Sequence, residues 1–343
     1  MAALVTVVTR TLGRPCLADA AASVAAQTHR PLEWVVVDAS GRGVDVPQAG
    51  DVPVRVASTG EPMRRSRAAN AGLDAAQGER VLFLDDDDLL APNALARLSA
   101  TLDARRDARV AYGDVRAVAE DDREVARFRF EFSELLVARR NPFPIHAAMA
   151  DLAFVREAGV RFDESLDWYE DWRFWLALSE RTSFAHVPET LATYRTHLSA
   201  SGVAGVDGDR GDARILAQRD AVLALGAARR AMLEARHEAL KRDARLHEAA
   251  GRLPQAAAAW AAAHQDYHYD AEPLIRYAGL ALRAGDARAA RAIVDSGLVL
   301  LPYEPALYRM LATLRGRAGD RAGASEAIAR AEGLEAHGPV SPI

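Results

Sequence analysis

The sequence of 343 residues has one cysteine, Cys16, which excludes an internal disulfide and favours a reducing compartment. It has no apolar run of the roughly 18 residues that would cross a membrane. It has no excess of basic residues, since its net charge is −5, and this argues against a nucleic-acid-binding protein. Its N-terminus also lacks the cationic start and long apolar core of a signal peptide. We therefore expect a soluble, cytoplasmic protein without a membrane span.

Hydrophobic residues, many of them alanine, make up 50% of the chain, so it can bury a sizeable core. At about 150 residues per domain, the length predicts two domains. Strand-like apolar runs alternate with helical patterns in the first two-thirds, whereas the last third shows only Ala-rich helical patterns. We predict an α/β domain over residues 1–210, a linking helix over 211–235 that belongs to a long helix over 213–247, and an all-α domain over 236–338.

Short apolar runs in the first domain predict strands, and apolar residues at helical spacing predict helices. The strands are expected at residues 4–8, 32–37, 52–56 and 81–84, and the helices at 15–27 and 65–77. The resulting order, β-α-β-β-α-β, is that of half of a doubly wound α/β domain with a mostly parallel sheet. In such domains ligands bind at the carboxyl ends of the strands.

Four aspartates, Asp85, Asp86, Asp87 and Asp88, follow the strand predicted at residues 81–84 without a gap. Two like charges about 4 Å apart repel by roughly 4 kcal/mol near a protein surface. A folded protein therefore rarely gathers so many carboxylates without a cation. Hard oxygen ligands suit magnesium or manganese, often completed by substrate phosphates. A metal–phosphate site is favoured over the alternative, a solvated acidic turn before a helix.

Other polar residues stand where a nucleotide would lie. Asp38 ends the second strand and could accept a hydrogen bond from a base or ribose, or serve only in a turn with Ser40. The cations Arg64, Arg65 and Arg67 begin the helix at 65–77, where phosphates bind well, although a solvated basic turn would have the same composition.

Three segments together resemble the family 2 glycosyltransferases of the GT-A (Rossmann-like) fold. They are residues 35–38 (Val-Val-Val-Asp), 70–73 (Asn-Ala-Gly-Leu), and 83–88 with the proline at 92. The resemblance implies that Asp87 binds a divalent cation, Mn²⁺ or Mg²⁺, on the diphosphate of a nucleotide sugar. It implies donor-binding roles for a wider set, which comprises Thr9, Asp38, Arg67, Asp85 and Asp86, with Asp85 as a second metal contact. Two positions depart from the family pattern: Ala39 replaces an aspartate and Ala69 replaces an arginine.

The segment 162–172 leads into a helix that begins with Glu170 and Asp171. Acids at a helix start are ordinarily caps. The resemblance instead implies that Asp171 is the general base, with Glu170 beside it, for attack by an acceptor hydroxyl. A base opposite a metal-bound leaving group means a single displacement with inversion.

Other residues of this domain are acceptor-side or metal candidates. Trp168 and Trp172 could offer apolar faces to an acceptor sugar. His146 could approach the acceptor or be a structural histidine, and the resemblance places His197 near the metal or diphosphate.

Ala-Gly pairs recur in the last third, with glycines at 251, 285 and 319 that are 34 residues apart (285 − 251 and 319 − 285). Each pair stands between two helical runs. Helix-turn-helix units of about 34 residues resemble tetratricopeptide repeats. Such repeats bind a protein partner or peptide, or they act as a spacer or a dimerisation module.

We therefore expect an inverting, metal-dependent glycosyltransferase with a UDP-sugar as the first choice of donor and a glycan, lipid-linked or protein acceptor. A nucleotidyltransferase with two metals at the Asp run is an alternative. A non-enzymatic scaffold that senses a nucleotide sugar and recruits a protein partner through the repeats is another.

Overall fold

The computed structural model describes residues 2–198 and 212–336. The chain divides into two compact units, Met1–Ala227 and Ala228–Ile343. The domain limits predicted at residues 210 and 338 lie outside the described residues. Within the described ranges, no helix combines the length and the apolar character that crossing a membrane requires.

The N-terminal unit is built on one mixed sheet, which has nine strands among the described residues. They are β1 (Val5–Thr11), β2 (Leu32–Asp38), β3 (Val54–Ala57), β4 (Arg80–Phe83), β5 (Leu89–Leu90), β6 (Ala108–Val118), β7 (Glu124–Phe128), β8 (Ala148–Asp151) and β9 (Ser183–Arg195). The strand order is β3-β2-β1-β4-β8-β6-β9-β5, and β7 pairs with β6 as a hairpin. The predicted β-α-β-β-α-β start is confirmed.

The helices of this unit connect the strands and cover the sheet. They are α1 (Leu17–Ala25), α2 (Arg65–Ala75), α3 (Ala94–Ala104), α4 (Glu134–Arg139), α5 (Leu152–Glu157), α6 (Glu170–Ser179) and α7 (Ala213–Leu225). The strands β1, β2 and β4 are buried throughout. This is why β2 and β4 contain the runs Trp-Val-Val-Val and Val-Leu-Phe rather than an alternating pattern, whereas β1 combines valines with buried threonines.

The close packing of α2 on β1 explains Gly72. A Cβ atom at this position would stand 2.2 Å from Cγ1 of Val8, far inside van der Waals contact. The Asn-Ala-Gly-Leu segment therefore contains glycine because the helix backbone touches the sheet at this point.

The strands β3, β2, β1 and β4 are parallel neighbours, and β4 then pairs antiparallel with β8. In the β1–β2 register Thr11 lies opposite Asp38, and in the β1–β4 register Val8 lies opposite Phe83. The carboxyl ends of β1, β2 and β4 consequently meet at one edge, where the polar residues lie.

The long helix predicted over 213–247 is wrong in one respect, because it is divided at Gly226 into α7 and α8 (Ala227–Ala249). Gly226 caps α7 and packs so closely on Leu176 that a Cβ atom would lie 3.0 Å from its Cδ2. Glycine is unfavourable in the interior of a helix, and its lack of a side chain allows the close contact with Leu176 at this position. The helix is therefore interrupted at Gly226.

The described part of the C-terminal unit, up to residue 336, has helices and no strand, as predicted. Its remaining helices are α9 (Leu253–Asp266), α10 (Ala271–Arg283), α11 (Ala287–Leu300), α12 (Pro305–Arg317) and α13 (Arg321–Ala336). The turns within the pairs α8/α9, α10/α11 and α12/α13 contain Gly251, Gly285 and Gly319, whose φ angles are 73°, 83° and 81°. These left-handed turns favour glycine, which accounts for the 34-residue recurrence. The assignment to the tetratricopeptide family stays a prediction.

Candidate active site

The strand ends bring part of the predicted donor site together. Arg10 and Thr11 at the end of β1 contact aspartates that follow β4. Thr9, however, lies in the sheet interior, where its hydroxyl accepts a hydrogen bond of 2.9 Å from the Trp34 indole. Thr9 is thus engaged by Trp34, and the contacts of β1 to the Asp run come from Arg10 and Thr11, nearer the end of the strand.

A buried arginine joins the Asp run to the acid pair. The guanidinium of Arg10 donates to both oxygens of Asp85, at 2.8 and 2.7 Å, and to Oε1 of Glu170 at 2.9 Å. All three side chains are largely withdrawn from solvent. Burial alone would raise the pKa of Asp85, but the positive charges of Arg10 and Arg65 lower it below its usual value. Residues 85 and 170, which are distant in sequence, thus belong to one charged network.

The next two aspartates of the run contact Arg14 in the loop after β1. Asp86 accepts a hydrogen bond from the Thr11 hydroxyl at 2.5 Å and pairs with Arg14. Asp87 lies 3.0 Å from the same guanidinium. Arg14 also donates to the Leu198 carbonyl, which brings the end of the described N-terminal segment near Asp87.

Asp88 faces a histidine. Its Oδ2 lies 2.8 Å from Nδ1 of His146, and its Oδ1 accepts from the Arg195 backbone N–H. Burial of the ring favours neutral His146, but the charge of Asp88 raises its pKa above the usual value. His146 is 1% exposed. It is therefore a partner of the Asp run inside the protein, which corresponds to the structural alternative and not to the acceptor-side one.

Asp87 is the least compensated member of the run. Its burial, followed by the charges of Asp88 and Asp85, raises its pKa to about 7, and Arg14 opposes this shift only in part. Arg10 and Arg14 neutralise part of the negative charge of the run. The charges of Asp88 and Asp85 nevertheless still act on Asp87. Another cation would be stabilised there.

A divalent cation is the group that the resemblance implies at this place. Within residues 2–198 and 212–336, no group of three or more His, Cys, Asp or Glu side chains is arranged to hold a metal ion. The oxygens of Asp85 and Asp86 are engaged by Arg10, Thr11 and Arg14. Asp87 is the carboxylate of the run that could take a cation, because its oxygens suit a hard divalent ion and the charges of Asp88 and Asp85 add to burial in raising its pKa.

The helix α6 presents the acid pair at its first turn, after Tyr169 in a left-handed conformation with φ 60°. Glu170 is 3% exposed and holds Arg10. Asp171 is partly accessible, and its carboxylate accepts from Asn141 Nδ2 at 3.1 Å and from the Trp172 backbone N–H at 2.7 Å. Burial, followed by the charge of Glu170, raises the pKa of Asp171 to about 6.

The segment before α6 is attached to α2. Asn70 donates to the Phe162 carbonyl and accepts from its N–H, both at 3.0 Å, and the Ser66 hydroxyl donates to the Leu166 carbonyl. The segment around Asn70 thus aligns the approach to the acid pair from 92 residues away in sequence. The hydrogen bonds of Asn70 and Ser66 therefore position α6.

Asp38 organises its own loop. It is buried, and its oxygens accept from the backbone N–H groups of Ser40, Gly41 and Gly43 and from the hydroxyls of Ser40 and Ser58. Burial alone would raise its pKa, but the hydrogen bonds from Ser40 and Gly43 lower it below the usual value. Its predicted contact with a base remains a prediction.

Arg67 and His197, predicted to bind the donor and the metal, are both exposed. Arg67 is exposed on α2, and it is Arg65 that approaches Asp85 and Glu170, at 3.7 and 3.9 Å. His197 is exposed beside Leu198, whose carbonyl Arg14 holds. The metal role of His197 stays a prediction.

The two predicted acceptor-side tryptophans lie in different surroundings. Trp172 is 2% exposed and its indole donates to the Val137 carbonyl at 2.7 Å, so it belongs to the core and offers no face to an acceptor. Trp168 is partly exposed, with the Arg214 guanidinium 5.9 Å from its ring centroid.

No sequence pattern indicated Arg10, Arg14 or Asn141 as site residues. The pattern suggested Arg65 only for phosphate binding, and not as a partner of the acids. The only available signal was position, since Arg10 and Arg14 lie where β1 ends, at the same sheet edge as the Asp run. Asn141 had no signal beyond the neighbouring prolines that exclude a regular helix.

A model of the family described as glycosyl transferase family 2 matches residues 5–160. This confirms the resemblance inferred from the sequence motifs. The match includes the Asp run and ends before the acid pair of α6.

Curated relatives match about half of this chain. An uncharacterised protein of Sinorhizobium fredii, y4gI, is 29% identical over 183 residues, which are 50% of this chain and 20% of that protein. The O-antigen biosynthesis protein RfbC of Myxococcus xanthus is 28% identical over 204 residues, 57% of this chain and 16% of RfbC. The aligned part of this chain thus spans a fifth or less of each of these two relatives.

A third relative and a solved structure are more similar in length. The uncharacterised glycosyltransferase YwdF of Bacillus subtilis is 23% identical over 183 residues, 51% of this chain and 67% of YwdF. The crystal structure of S. aureus TarS 1–349 in complex with UDP-GlcNAc aligns with a TM-score of 0.48 and 15% identity, over 95% of this chain and 90% of that one.

Proposed function

Residues 5–160 belong to glycosyl transferase family 2, and on this premise we propose that the chain transfers a sugar from a nucleotide diphosphate sugar to an acceptor hydroxyl with inversion at the anomeric carbon. The Asp run and Arg65 form the donor side. Asp171 is the general base.

The observation that carries the proposal is the Arg10 bridge. One buried guanidinium holds Asp85, which follows β4, and Glu170, which begins α6. A donor held at the strand end and a base on α6 therefore lie on opposite sides of one ion-pair network. A single displacement needs this arrangement, with the leaving group and the attacking hydroxyl in one site.

Asp171 is better suited than Glu170 to take the proton. Glu170 is buried and committed to Arg10, whereas Asp171 is partly accessible. A base works best when its pKa lies near the working pH, and the value of about 6 for Asp171 meets this condition. As the acceptor oxygen bonds to the anomeric carbon, its proton passes to Asp171 and the bond to the diphosphate breaks. One base and one displacement give inversion.

The donor side supplies positive charge for the diphosphate. Arg65 is partly exposed at the first turn of α2, where helix N–H groups also favour anions. Asp87 would hold a divalent cation, Mn²⁺ or Mg²⁺, which when bound stabilises negative charge on the leaving diphosphate. We propose a UDP-sugar as the first donor to test, and a glycan, lipid-linked or protein acceptor, with the helical unit as a surface for a protein partner.

The first experiment is a thermal-shift panel of UDP, GDP and dTDP and their sugars, with and without Mn²⁺. A ligand at about 100 times its dissociation constant adds roughly 2.7 kcal/mol of stability. We expect one nucleotide to raise the melting temperature with Mn²⁺, and Asp87→Asn to lose the manganese-dependent part. Asp74→Asn is the matched control, since Asp74 is exposed and pairs with Arg161 away from the site.

The second experiment measures release of nucleoside diphosphate from the donor so identified. Asp171→Asn should bind the donor normally and lose turnover by at least 100-fold, as expected for removal of a general base. Full turnover by a folded Asp171→Asn variant would exclude Asp171 as the base. Release of pyrophosphate would instead indicate a nucleotidyltransferase, and a bound donor that is never turned over would indicate a scaffold.

A further inference from the structure

The side chain next to Asp171 has one end without a partner. Asn141 follows α4, and its Nδ2 donates to Oδ2 of Asp171 at 3.1 Å. Its Oδ1 is buried and, within the described part of the chain, has no hydrogen-bond donor. Buried polar atoms are nearly always satisfied in folded proteins, so this carbonyl oxygen needs an explanation.

The orientation of the amide follows from chemistry. An ionised carboxylate only accepts hydrogen bonds, so the amide must turn its NH₂ group to Asp171 and its oxygen elsewhere. Exchanging the two ends would place two acceptors against each other.

The segments on either side of Asn141 are well packed. The neighbouring Phe143 is 3% exposed and stacks on Tyr112 with ring centroids 4.7 Å apart. The Trp172 indole ties α6 to the carbonyl of Val137 in α4. The amide therefore keeps its place beside the acid pair without a ligand, as a preorganised binding group requires.

The number of hydrogens available in the site determines which group can donate to Oδ1 of Asn141. A hydroxyl carries one hydrogen, and in the proposed reaction the attacking hydroxyl gives that hydrogen to Asp171. A hydrogen bond to Oδ1 of Asn141 can then be donated by a second hydroxyl of the acceptor, close to the first. Two adjacent hydroxyls of a sugar or polyol meet this need, whereas an isolated alcohol does not.

We propose that Asn141 is a catalytic-site residue that selects acceptors with two neighbouring hydroxyls, binding the non-reacting hydroxyl through Oδ1 while Nδ2 orients Asp171 toward the reacting one. This inference rests on the proposed function and narrows its acceptor class to vicinal diols of sugars or polyols. No group beyond the donor and the acceptor takes part: the acceptor oxygen gains the anomeric carbon, Asp171 gains the proton, and the bonding electrons leave with the nucleoside diphosphate.

The hydrogen bond from Asn141 also favours the ionised form of Asp171 and so lowers its pKa, against burial and the charge of Glu170, which raise it. The charged groups that face Asp171 are Glu170 on its own helix and Arg10 from β1, with Arg65 and Asp85 one ion pair further away. All of them stay in place in an Asn141 variant. Loss of the amide should therefore move the pKa of Asp171 upward.

The test compares two acceptor probes, glycerol and 1-propanol, by nucleoside diphosphate release from the donor found in the thermal-shift panel. Wild type should prefer glycerol. Asn141→Ala should lower the glycerol-to-propanol ratio of kcat/KM about tenfold, the value of one hydrogen bond to a buried acceptor. The acid limb of its pH profile should move to higher pH. Neither change is expected from a residue that only supports the fold.

Asn93→Ala is the control, since Asn93 is exposed and makes no side-chain cap to α3. If Asn141→Ala lowers the melting temperature strongly, Asn141→Ser replaces it: its hydroxyl can still donate to Asp171, so the acid limb should move less while the glycerol preference falls. An unchanged ratio and an unmoved acid limb in the folded variant would overturn the inference and leave the transferase reaction standing. Absence of donor turnover by wild type with every probe would overturn both.

Discussion

Replacing Arg10 by methionine would remove the buried cation that hydrogen-bonds both Asp85 and Glu170, leaving them only the more distant Arg65, at 3.7 and 3.9 Å. The two carboxylates would then remain buried without the partner that now lies 2.7–2.9 Å away. Breaking a buried ion pair by removing one partner costs about 3–5 kcal/mol. For a unit of roughly 200 residues each kcal/mol lowers the melting temperature by about 2–4 °C, so we expect a fall of about 6–20 °C.

The assay is thermal unfolding of the full chain followed by tryptophan fluorescence. Four of the five tryptophans, Trp34, Trp168, Trp172 and Trp175, lie in the N-terminal unit, so the signal mainly reports the unit that contains Arg10. Arg161→Met is the matched control, because its ion pair with Asp74 is exposed on both sides and should contribute less than about 1 kcal/mol.

The pH dependence has a defined sign. Because Arg10 and Arg65 hold the folded-state pKa of Asp85 below its usual value, this carboxylate stabilises the fold above its unfolded pKa of about 3.9, and the stabilisation is lost as the pH falls toward the folded value. Arg10→Met lacks this contribution, so its deficit relative to wild type should be largest near pH 7 and shrink below about pH 4.

A triple variant separates charge from packing. Combining Arg10→Met with Asp85→Asn and Glu170→Gln removes the uncompensated charges and should recover most of the lost stability. The reasoning would be refuted if Arg10→Met lost no more stability than Arg161→Met, or if the triple variant were as unstable as Arg10→Met alone.

Three further predictions concern chemistry and packing. Glu170→Gln removes a charge that raises the pKa of Asp171, so the acid limb of its kcat/KM profile should move below about pH 6; a limb that moved upward would contradict this. Mn²⁺ affinity measured by calorimetry should rise between pH 6 and pH 8, as Asp87 with its pKa of about 7 loses its proton, and Asp87→Asn should abolish that rise. Gly72→Ala places a methyl group against Val8 and should cost about 1–3 kcal/mol in denaturant unfolding, whereas an unchanged midpoint would mean that α2 can move away from β1.

Local patterns were enough for much of the fold. The apolar runs at residues 32–37 and 81–84 are buried strands because a segment covered on both faces must be apolar throughout. The glycines at 251, 285 and 319 mark turns because each adopts a left-handed conformation. The division of the helix at Gly226 was not predicted, because it depends on a contact with Leu176, 50 residues earlier in the chain.

The sequence by itself indicated the resemblance to family 2 glycosyltransferases, the strand-end position of the Asp run and the acid pair at the start of α6, because these are contiguous segments whose composition reflects local structure. Only the tertiary structure decided which charges meet. The sequence reasoning considered only a metal ion to offset the repulsion among the aspartates, whereas the structure also places Arg10, Arg14 and His146 in contact with them. The tertiary structure likewise buries Thr9 and Trp172 in the core and brings Asn141 into contact with Asp171. Such pairings join residues 25 to 160 positions apart, and a one-dimensional pattern has no period that reports them.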